Sequence, residues 1–322
     1  MKLGSRIYIA GHRGLVGSAL MRRLEAGGYT KLITRSHSEL DLTNQGDVRR
    51  FFTDESPEYV FLAAAKVGGI LANDMYPAEF VYENLAIQTN VIHEAWRAGV
   101  ERLLFLGSSC IYPRDCPQPI REEYLLTGRL EPTNRAYAVA KIAGIEMCAA
   151  FNKQHGTKYL SVMPSNLYGP NDNYDLQNSH VLPALIRKFH EAKKNGEKTA
   201  TAWGTGRPRR EFMFSEDMAD ACIFLISLSE ENFYPLCSQA TPIINVGSGK
   251  DITIGELVEL VKQVVGYKGA VVWDVNQPDG TPRKLLDVHK IAELGWRPKT
   301  ELAQGVARIY ENFLSTRAAN QP

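Results

Sequence analysis

The chain has 322 residues, 44% of them hydrophobic and 23% charged, which is the balance of a folded globular protein and excludes a disordered or fibrous one. Its formal net charge is only +1, so nothing suggests a nucleic-acid footprint or a basic membrane-binding face. An anionic partner has to be recognised locally, and a small phosphorylated ligand fits that requirement.

In chain order, short β-rich runs alternate with stretches long enough for crossover helices. The runs are Arg6 to Ala10, Lys31 to Thr34, Tyr59 to Ala63, Arg102 to Leu106 and Tyr159 to Met163. Helical spacing covers Ser18 to Ala26, Val81 to Ala98 and Ala136 to His155, the last stopped by Gly156. This order predicts an α/β fold, a Rossmann-type doubly wound parallel sheet with helices on both faces. After Pro164 the pattern loosens into Pro/Gly/Asn-rich loops, and then helices are predicted over Val181 to Lys194 and Ile254 to Val265, with a last one ending near Leu314. Strands are predicted at Ile243 to Val246 and Val271 to Asp274. Residues 1–164 therefore read as a dinucleotide-binding domain to which later segments return, and 165–322 as mainly a smaller, interleaved α/β substrate domain. No repeat, low-complexity tract or linker interrupts the chain.

The cysteines Cys110, Cys116, Cys148, Cys222 and Cys237 show no C-x-x-C or histidine-linked spacing, which predicts free thiols in a reducing cytoplasm and no metal site. The apolar stretch Ile7 to Ala10 is too short for a signal peptide, and no run of about 20 apolar residues offers a bilayer span.

Gly11-His12-Arg13-Gly14-Leu15-Val16-Gly17 follows the first predicted strand and opens the first predicted helix, the context a phosphate loop needs. Glycines allow the tight turn and a close backbone approach to a pyrophosphate, and the helix N-terminus favours its charge. Taken alone, the pattern is also that of a plain strand-to-helix turn. Where the second strand ends, an Asp or Glu would select a free ribose 2′-hydroxyl. This chain offers Arg35 and His37 instead, with Arg13 in the glycine loop, and such cations suit a 2′-phosphate, so NADP (NADPH) is expected over NAD. The alternative is solvated cations. Asp41, beside Leu42, stands either by the adenine or at a helix cap.

Tyr137 and Lys141 lie four residues apart on one face of a predicted helix. A nearby ammonium is expected to lower the tyrosine pKa from its ordinary value of about 10, and such a phenol can protonate an oxygen as hydride arrives. Ser108 follows the fourth strand, where ligands collect in open α/β sheets, and its hydroxyl would stabilise developing oxyanion charge. Separately, a Tyr-x-x-x-Lys pair is often helix surface and such a serine is often a cap or turn residue.

Together the glycine loop, Ser108, Tyr137 and Lys141 resemble the extended short-chain dehydrogenase/reductase family over nearly the whole chain. The segments Ala63 to Ile70, Gly107 to Pro113 and Pro278 to Lys284 narrow the resemblance to enzymes of GDP-linked keto sugars. The function this implies is 3,5-epimerisation of GDP-4-keto-6-deoxy-D-mannose followed by NADPH-dependent reduction at C4. It also implies that Cys110 and His180 are the acid–base pair of the epimerisation. The chemistry itself asks for such a pair, because a C4 ketone acidifies the hydrogens on C3 and C5, and each inversion removes a proton from one face and returns one to the other. A thiol and an imidazole titrate in a suitable range. The bland alternatives are a small buried cysteine and a loop or cap histidine.

By the same resemblance, cofactor contacts fall also on Ala64, Leu106, Gly107, Lys141, Pro164, Asn166, Leu167 and His180, and substrate contacts on Ser108, Ser109, Cys110, Tyr137, Asn166, Lys188, Trp203, Arg210 and Asp279. An arginine pairs bidentately with a diphosphate, and a carboxylate accepts from a guanine or ribose edge. On the other side, Arg210 beside Glu211 could form a surface ion pair, Trp203 could be core and Asp279 could only shape a turn. Arg187 precedes Lys188, and spacing alone does not say which faces inward. A homodimer through the helices over Val81 to Ala98 and around Tyr137 is implied as well, although alanine-rich faces also pack within one chain.

Rival readings are an epimerase or reductase of a related GDP-4-keto sugar such as a 6-deoxy-heptose, and a catalytically idle NADP-binding regulator. A dehydratase is disfavoured because Ser109-Cys110 stands where that reaction usually has an acidic pair.

Overall fold

The computed structural model describes residues 1–176, 179–277 and 279–319. Chain order begins with β1 (Ile7–Ala10), α1 (Leu15–Ala26), β2 (Leu32–Ile33), α2 (Gln45–Glu55), β3 (Tyr59–Leu62), α3 (Ile70–Met75), α4 (Pro77–Arg97), β4 (Arg102–Leu106), α5 (Arg135–His155) and β5 (Tyr159–Pro164). It continues with β6 (Asn166–Tyr168), α6 (Val181–Lys194), β7 (Thr199–Trp203), β8 (Arg209–Phe214), α7 (Ser215–Ile226), α8 (Glu230–Cys237), β9 (Ile243–Val246) and β10 (Asp251–Thr253). The last elements are α9 (Ile254–Val265), β11 (Ala270–Asp274), β12 (Arg283–Lys284), α10 (His289–Glu293) and α11 (Leu302–Ala319).

A six-stranded sheet in the order β2-β1-β3-β4-β5-β9 carries the fold, and every neighbouring pair in it is parallel. Strands β1, β3 and β9 are buried at every position, as expected where helices cover both faces and the strand reads as a continuous apolar run. One face packs Tyr8, Val60, Leu103 and Phe105 against α2, α4 and α5. The other packs Ile7, Phe61, Leu104 and Val162 against α1 and α7, and Arg22 Nε donates to Glu216 at 2.7 Å across that seam. Chain order reverses between β1 and β3, which places the crevice for a ligand at their carboxyl ends.

A separate core of Tyr168, Ile186, Phe189, Phe212, Leu257, Val261 and Val306 lies under α6, α9 and α11. Small sheets cross it: β7 with β11, and β8 with β6, β10 and β12. The parallel sheet, with its strands in the expected places, agrees with the sequence reading. Several details differ, the following among them. The second strand is shorter than the expected Lys31 to Thr34, α4 begins at Pro77 because proline suits the first helical turn, and α2 and α7 were not anticipated. Helix α2 is signalled by Asn44, whose side chain accepts from Gly46 N and Asp47 N.

Candidate active site

The glycine loop is a backbone cradle. Gly11 has φ +83°, and a Cβ there would sit 2.8 Å from Ala64 N, so β1 and β3 meet too closely for any side chain. A Cβ on Gly17 would lie 2.1 Å from Gly11 O. Gly14 caps α1 without a side-chain hydrogen bond, and no acidic residue stands in the first turn, so the helix N–H groups point outward beside Leu15 and Val16. His12 Nδ1 is buried without a partner among the described residues, and desolvation followed by Arg13 lowers the ring's pKa. An orphaned ring nitrogen and a cradle that a Cβ would fill both fit a bound dinucleotide diphosphate. Ala64 closes this cradle after β3, and Leu106, Gly107 and Pro164 lie at the ends of β4 and β5, along the same edge.

At the end of β2 the expected cations are not equivalent. Arg13 is exposed and has no ion pair among the described residues. Arg35 instead pairs with Glu55, donates to Thr34 O at 2.8 Å, and lies over the Phe51 ring at 5.6 Å. His37 is 85% exposed, 4.0 Å from Asp41. Asp41 accepts from Thr43 N at 2.9 Å and Thr43 Oγ1 at 2.7 Å, forming a turn ahead of α2, with Leu42 buried beside it. The sequence reading missed Glu39, whose carboxylate takes Ser36 N at 2.7 Å and Ser36 Oγ at 2.6 Å. Those two hydrogen bonds hold its pKa below the usual carboxylate range, with Arg35 and Arg13 adding to them.

The end of the fourth strand gathers the candidate catalytic groups. Ser108 caps a 3-10 turn over Ser109–Ile111, its Oγ accepting from Cys110 N at 3.2 Å. From α5, Tyr137 reaches the same point, where Ser108 hydrogen-bonds it and Cys110 lies close enough to act on it electrostatically. Phe80 packs edge-on to its ring at 6.2 Å between centroids. Lys141, one turn on, is buried, donates to Leu106 O at 2.7 Å, and lies 4.6 Å from the Phe105 centroid and 5.9 Å from that of Tyr137.

The expected depression of the Tyr137 pKa is absent. Burial first and Cys110 second raise it, and the Ser108 hydrogen bond opposes them only in part. Burial also lowers Lys141 to about 7, so desolvation, which disfavours either charged form, outweighs the attraction that spacing on the helix suggested.

A second group continues from Cys110 toward the smaller sheets. Arg210 Nη2 donates to Asp279 O at 3.3 Å; burial lowers the arginine's pKa, and the nearby Asp279 and Cys110 oppose that shift. Its neighbour Glu211 is fully buried, held by Gly249 N at 2.7 Å and Leu286 N at 2.9 Å, so no Arg210–Glu211 surface pair forms. Burial raises the Glu211 pKa to about 7. Asp279 spends its carboxylate on Thr205 N and Thr205 Oγ1, both at 2.7 Å, which is the turn-shaping role. Trp203 is 46% exposed and therefore not core; Lys188 Nζ stands 4.7 Å from its ring centroid and donates to Thr201 O. Arg187 turns to Glu191 and Tyr174 O instead. Asn166 Nδ2 donates to Glu211 O at 2.8 Å, and Leu167 follows it in β6, half-buried.

His180 is the N-cap position of α6, with no side-chain capping bond. It opens to solvent on one side, yet the surrounding protein lowers its pKa by desolvation. No hydrogen bond or ion pair joins it to Ser108, Cys110 or Tyr137 among the described residues. Pro278 of the quoted motif lies outside the described residues. Lys284, quoted in the same motif without a role, donates to Cys110 Sγ at 3.6 Å.

Among the described residues no helix is long and apolar enough to cross a membrane. The profile of the NAD dependent epimerase/dehydratase family matches residues 7–246. GDP-L-fucose synthase 1 of Arabidopsis thaliana is 56% identical over 96% of this chain and 93% of its own. GDP-L-fucose synthase of Escherichia coli (strain K12) is 52% identical over 96% of both. The solved structure of MlghC, a GDP-mannoheptose C4 reductase from Campylobacter jejuni with NADP bound, superposes with a TM-score of 0.89 at 41% identity, over 98% of this chain and 99% of that one. Fold, loop and site context agree with these matches, and the chain belongs to the NAD dependent epimerase/dehydratase family.

Proposed function

We propose that this chain converts GDP-4-keto-6-deoxy-D-mannose to GDP-L-fucose, by epimerisation at C3 and C5 and reduction at C4. The observation that carries the reading is the convergence of Ser108, Cys110 and Tyr137 at the carboxyl end of β4, with Lys141 behind them. The names of the relatives support the same substrate class. In the division of labour that follows, residues 1–164 hold the cofactor, with β9 completing their sheet, and the remainder mainly holds the sugar nucleotide.

NADPH, when bound, supplies the hydride for C4. Gly11, Gly14 and Gly17 would admit its diphosphate to the N-terminus of α1, and Arg13, which has no ion pair among the described residues, would hold the 2′-phosphate, with Arg35 as the second cation nearby. The NADP-bound heptose reductase is in keeping with that preference. Ser108 hydrogen-bonds the C4 oxygen. Tyr137, kept protonated by burial, donates its proton to that oxygen as the alkoxide forms. Lys141, beside the Tyr137 ring, would hold the cofactor ribose. During epimerisation the same two hydroxyls steady the enolate while Cys110 and His180 exchange protons with C3 and C5 from opposite faces. Arg210 pairs with the diphosphate of the substrate, and Trp203 with Lys188 flanks its nucleoside. The protein works in the cytoplasm as a homodimer; the exposed Tyr82 of α4 and Val139 of α5 are in keeping with a partner on that face.

The test is incubation with the keto sugar, NADPH and deuterated water, followed by product NMR. Deuterium at C3 and C5 with stoichiometric NADPH oxidation is expected; no deuterium at either carbon together with no NADPH oxidation ends the proposal. A GDP-4-keto-heptose is the second reading, favoured by the likeness to the heptose reductase, and turnover that is faster on the heptose would select it.

A further inference from the structure

Cys110 has a partner that the acid–base scheme does not use. Lys284 comes from β12, far along the chain, and its ammonium donates to Cys110 Sγ at 3.6 Å. Among the described residues no carboxylate pairs with Lys284, so its charge is not cancelled before it reaches the sulfur. The two side chains share a small cavity with Gln118, Glu131, Asn134 and Arg283.

The placement is over-determined by backbone. Strand β12 pairs in parallel with β8, setting Lys284 opposite Arg210. Immediately after it, Leu285 N donates to Gln118 Oε1 at 2.9 Å, and Leu286 N to the buried Glu211 at 2.9 Å. Ile120 N donates to Leu285 O at 2.7 Å, and Asp287 N to Ile120 O at 2.8 Å. Arg283, immediately before it, pairs with Asp251 at 2.5 Å. A lysine whose neighbours on both sides are pinned in this way is aimed, not merely nearby.

We propose that Lys284 is a positioning residue for the epimerisation: its ammonium orients the Cys110 sulfur toward the substrate and stabilises the charge that the sulfur carries while a proton is away. The inference rests on the reading of Cys110 as a proton carrier. When the thiol returns a proton to an enolate carbon, the S–H bond breaks, the C–H bond forms, and the electron pair left on sulfur faces a cation 3.6 Å away. When the thiolate removes a proton, the C–H pair moves into the enolate and the S–H bond reforms. No further reactant is consumed.

Other groups act on this sulfur and enter the test. Arg210 on β8 and Tyr137 on α5 interact electrostatically with Cys110, and Arg114, Glu131 and Arg283 border the cavity. Lys284 also lies near Cys116, whose pKa burial raises and Lys284 lowers. The two thiols fall on separate tryptic peptides, divided at Arg114, so each is read by itself.

The experiment uses full-length K284M, K284Q and K284R, with C110S as the reference. The rate of iodoacetamide alkylation of Cys110 is followed against pH by peptide mass spectrometry, and deuterium entry at C3 and C5 by product NMR. K284M and K284Q should slow Cys110 alkylation at neutral pH about tenfold and move its profile to higher pH, and K284R should restore most of both. Deuterium entry should fall by a similar factor while NADPH affinity is unchanged. An alkylation profile that is the same in all three variants and the wild type overturns the proposal. If the wild type exchanges no deuterium yet the alkylation profile shifts as expected, the assignment of the reaction fails and the Lys284–Cys110 coupling stands.

Discussion

The dinucleotide loop takes everything it needs from the consecutive residues Gly11 to Gly17 and presents mostly backbone, whereas the centre beside Cys110 gathers side chains from β4, α5, β8 and β12. The first is fixed by what is absent, since a Cβ at Gly11 or Gly17 would strike backbone. The second depends on long-range pairing, β12 on β8 and α5 beneath β4, and its charges are tuned by burial. The loop should therefore fail through sterics and the proposed catalytic centre through electrostatics, with different measurements recording each failure.

The largest effect is expected at the catalytic centre. Y137F should lower the rate of NADPH oxidation about 10²–10⁴-fold, the range for a positioned acid–base group, and leave NADPH affinity within about twofold. A loss below tenfold in steady-state kinetics would remove Tyr137 as the proton donor. Next comes the one unpaired cation of the loop: R13Q should weaken NADPH binding by about 1.5–3 kcal/mol and leave NADH binding unchanged, as read by fluorescence titration. Equal losses for the two cofactors would mean that Arg13 does not face the 2′-phosphate.

The loop itself supplies the third test. G17A forces a Cβ to within 2.1 Å of Gly11 O and should destabilise the protein by about 1–3 kcal/mol, visible as a lower Tm together with weakened cofactor binding. An unchanged Tm would show that α1 can shift away from β1. The smallest effect concerns Glu211. Its folded-state pKa is raised to about 7 from the ordinary 4.5, so the folded protein keeps a proton that the unfolded chain has released. Stability from this group therefore falls as pH rises from about 4.5 to about 7. E211Q cannot ionise, and the difference in urea midpoint between pH 5 and pH 7 should shrink in the variant. A steeper pH dependence in E211Q would contradict the burial argument.

The glycine loop, the alternation of strands and helices and the Tyr137–Lys141 pair were legible because each is a local pattern: a strand-to-helix turn, a hydrophobic period, a helical spacing. Position relative to the fourth strand was legible too, since ligands gather at strand carboxyl ends whatever the side chains are. Less legible was what each charged group would find on arrival. Arg35 looked like a free cation and is bound by Glu55, a partner from the next helix. Asp279 looked like a ligand contact and holds Thr205. Helix α7 escaped notice because its burial against α1 leaves no simple amphipathic period.

What the sequence determined by itself is the sheet order's alternating framework and the kinds of groups that line its edge, because backbone preference and hydrophobic period act over a few residues. The tertiary structure alone decided which ammonium meets which acid. Lys141 turns to Leu106 O and loses much of its charge preference to burial, and Lys284, placed by strand pairing with β8, is the cation that reaches the sulfur. Coulomb interactions depend on distance and desolvation in space, and neither quantity is written in the spacing of residues along a chain.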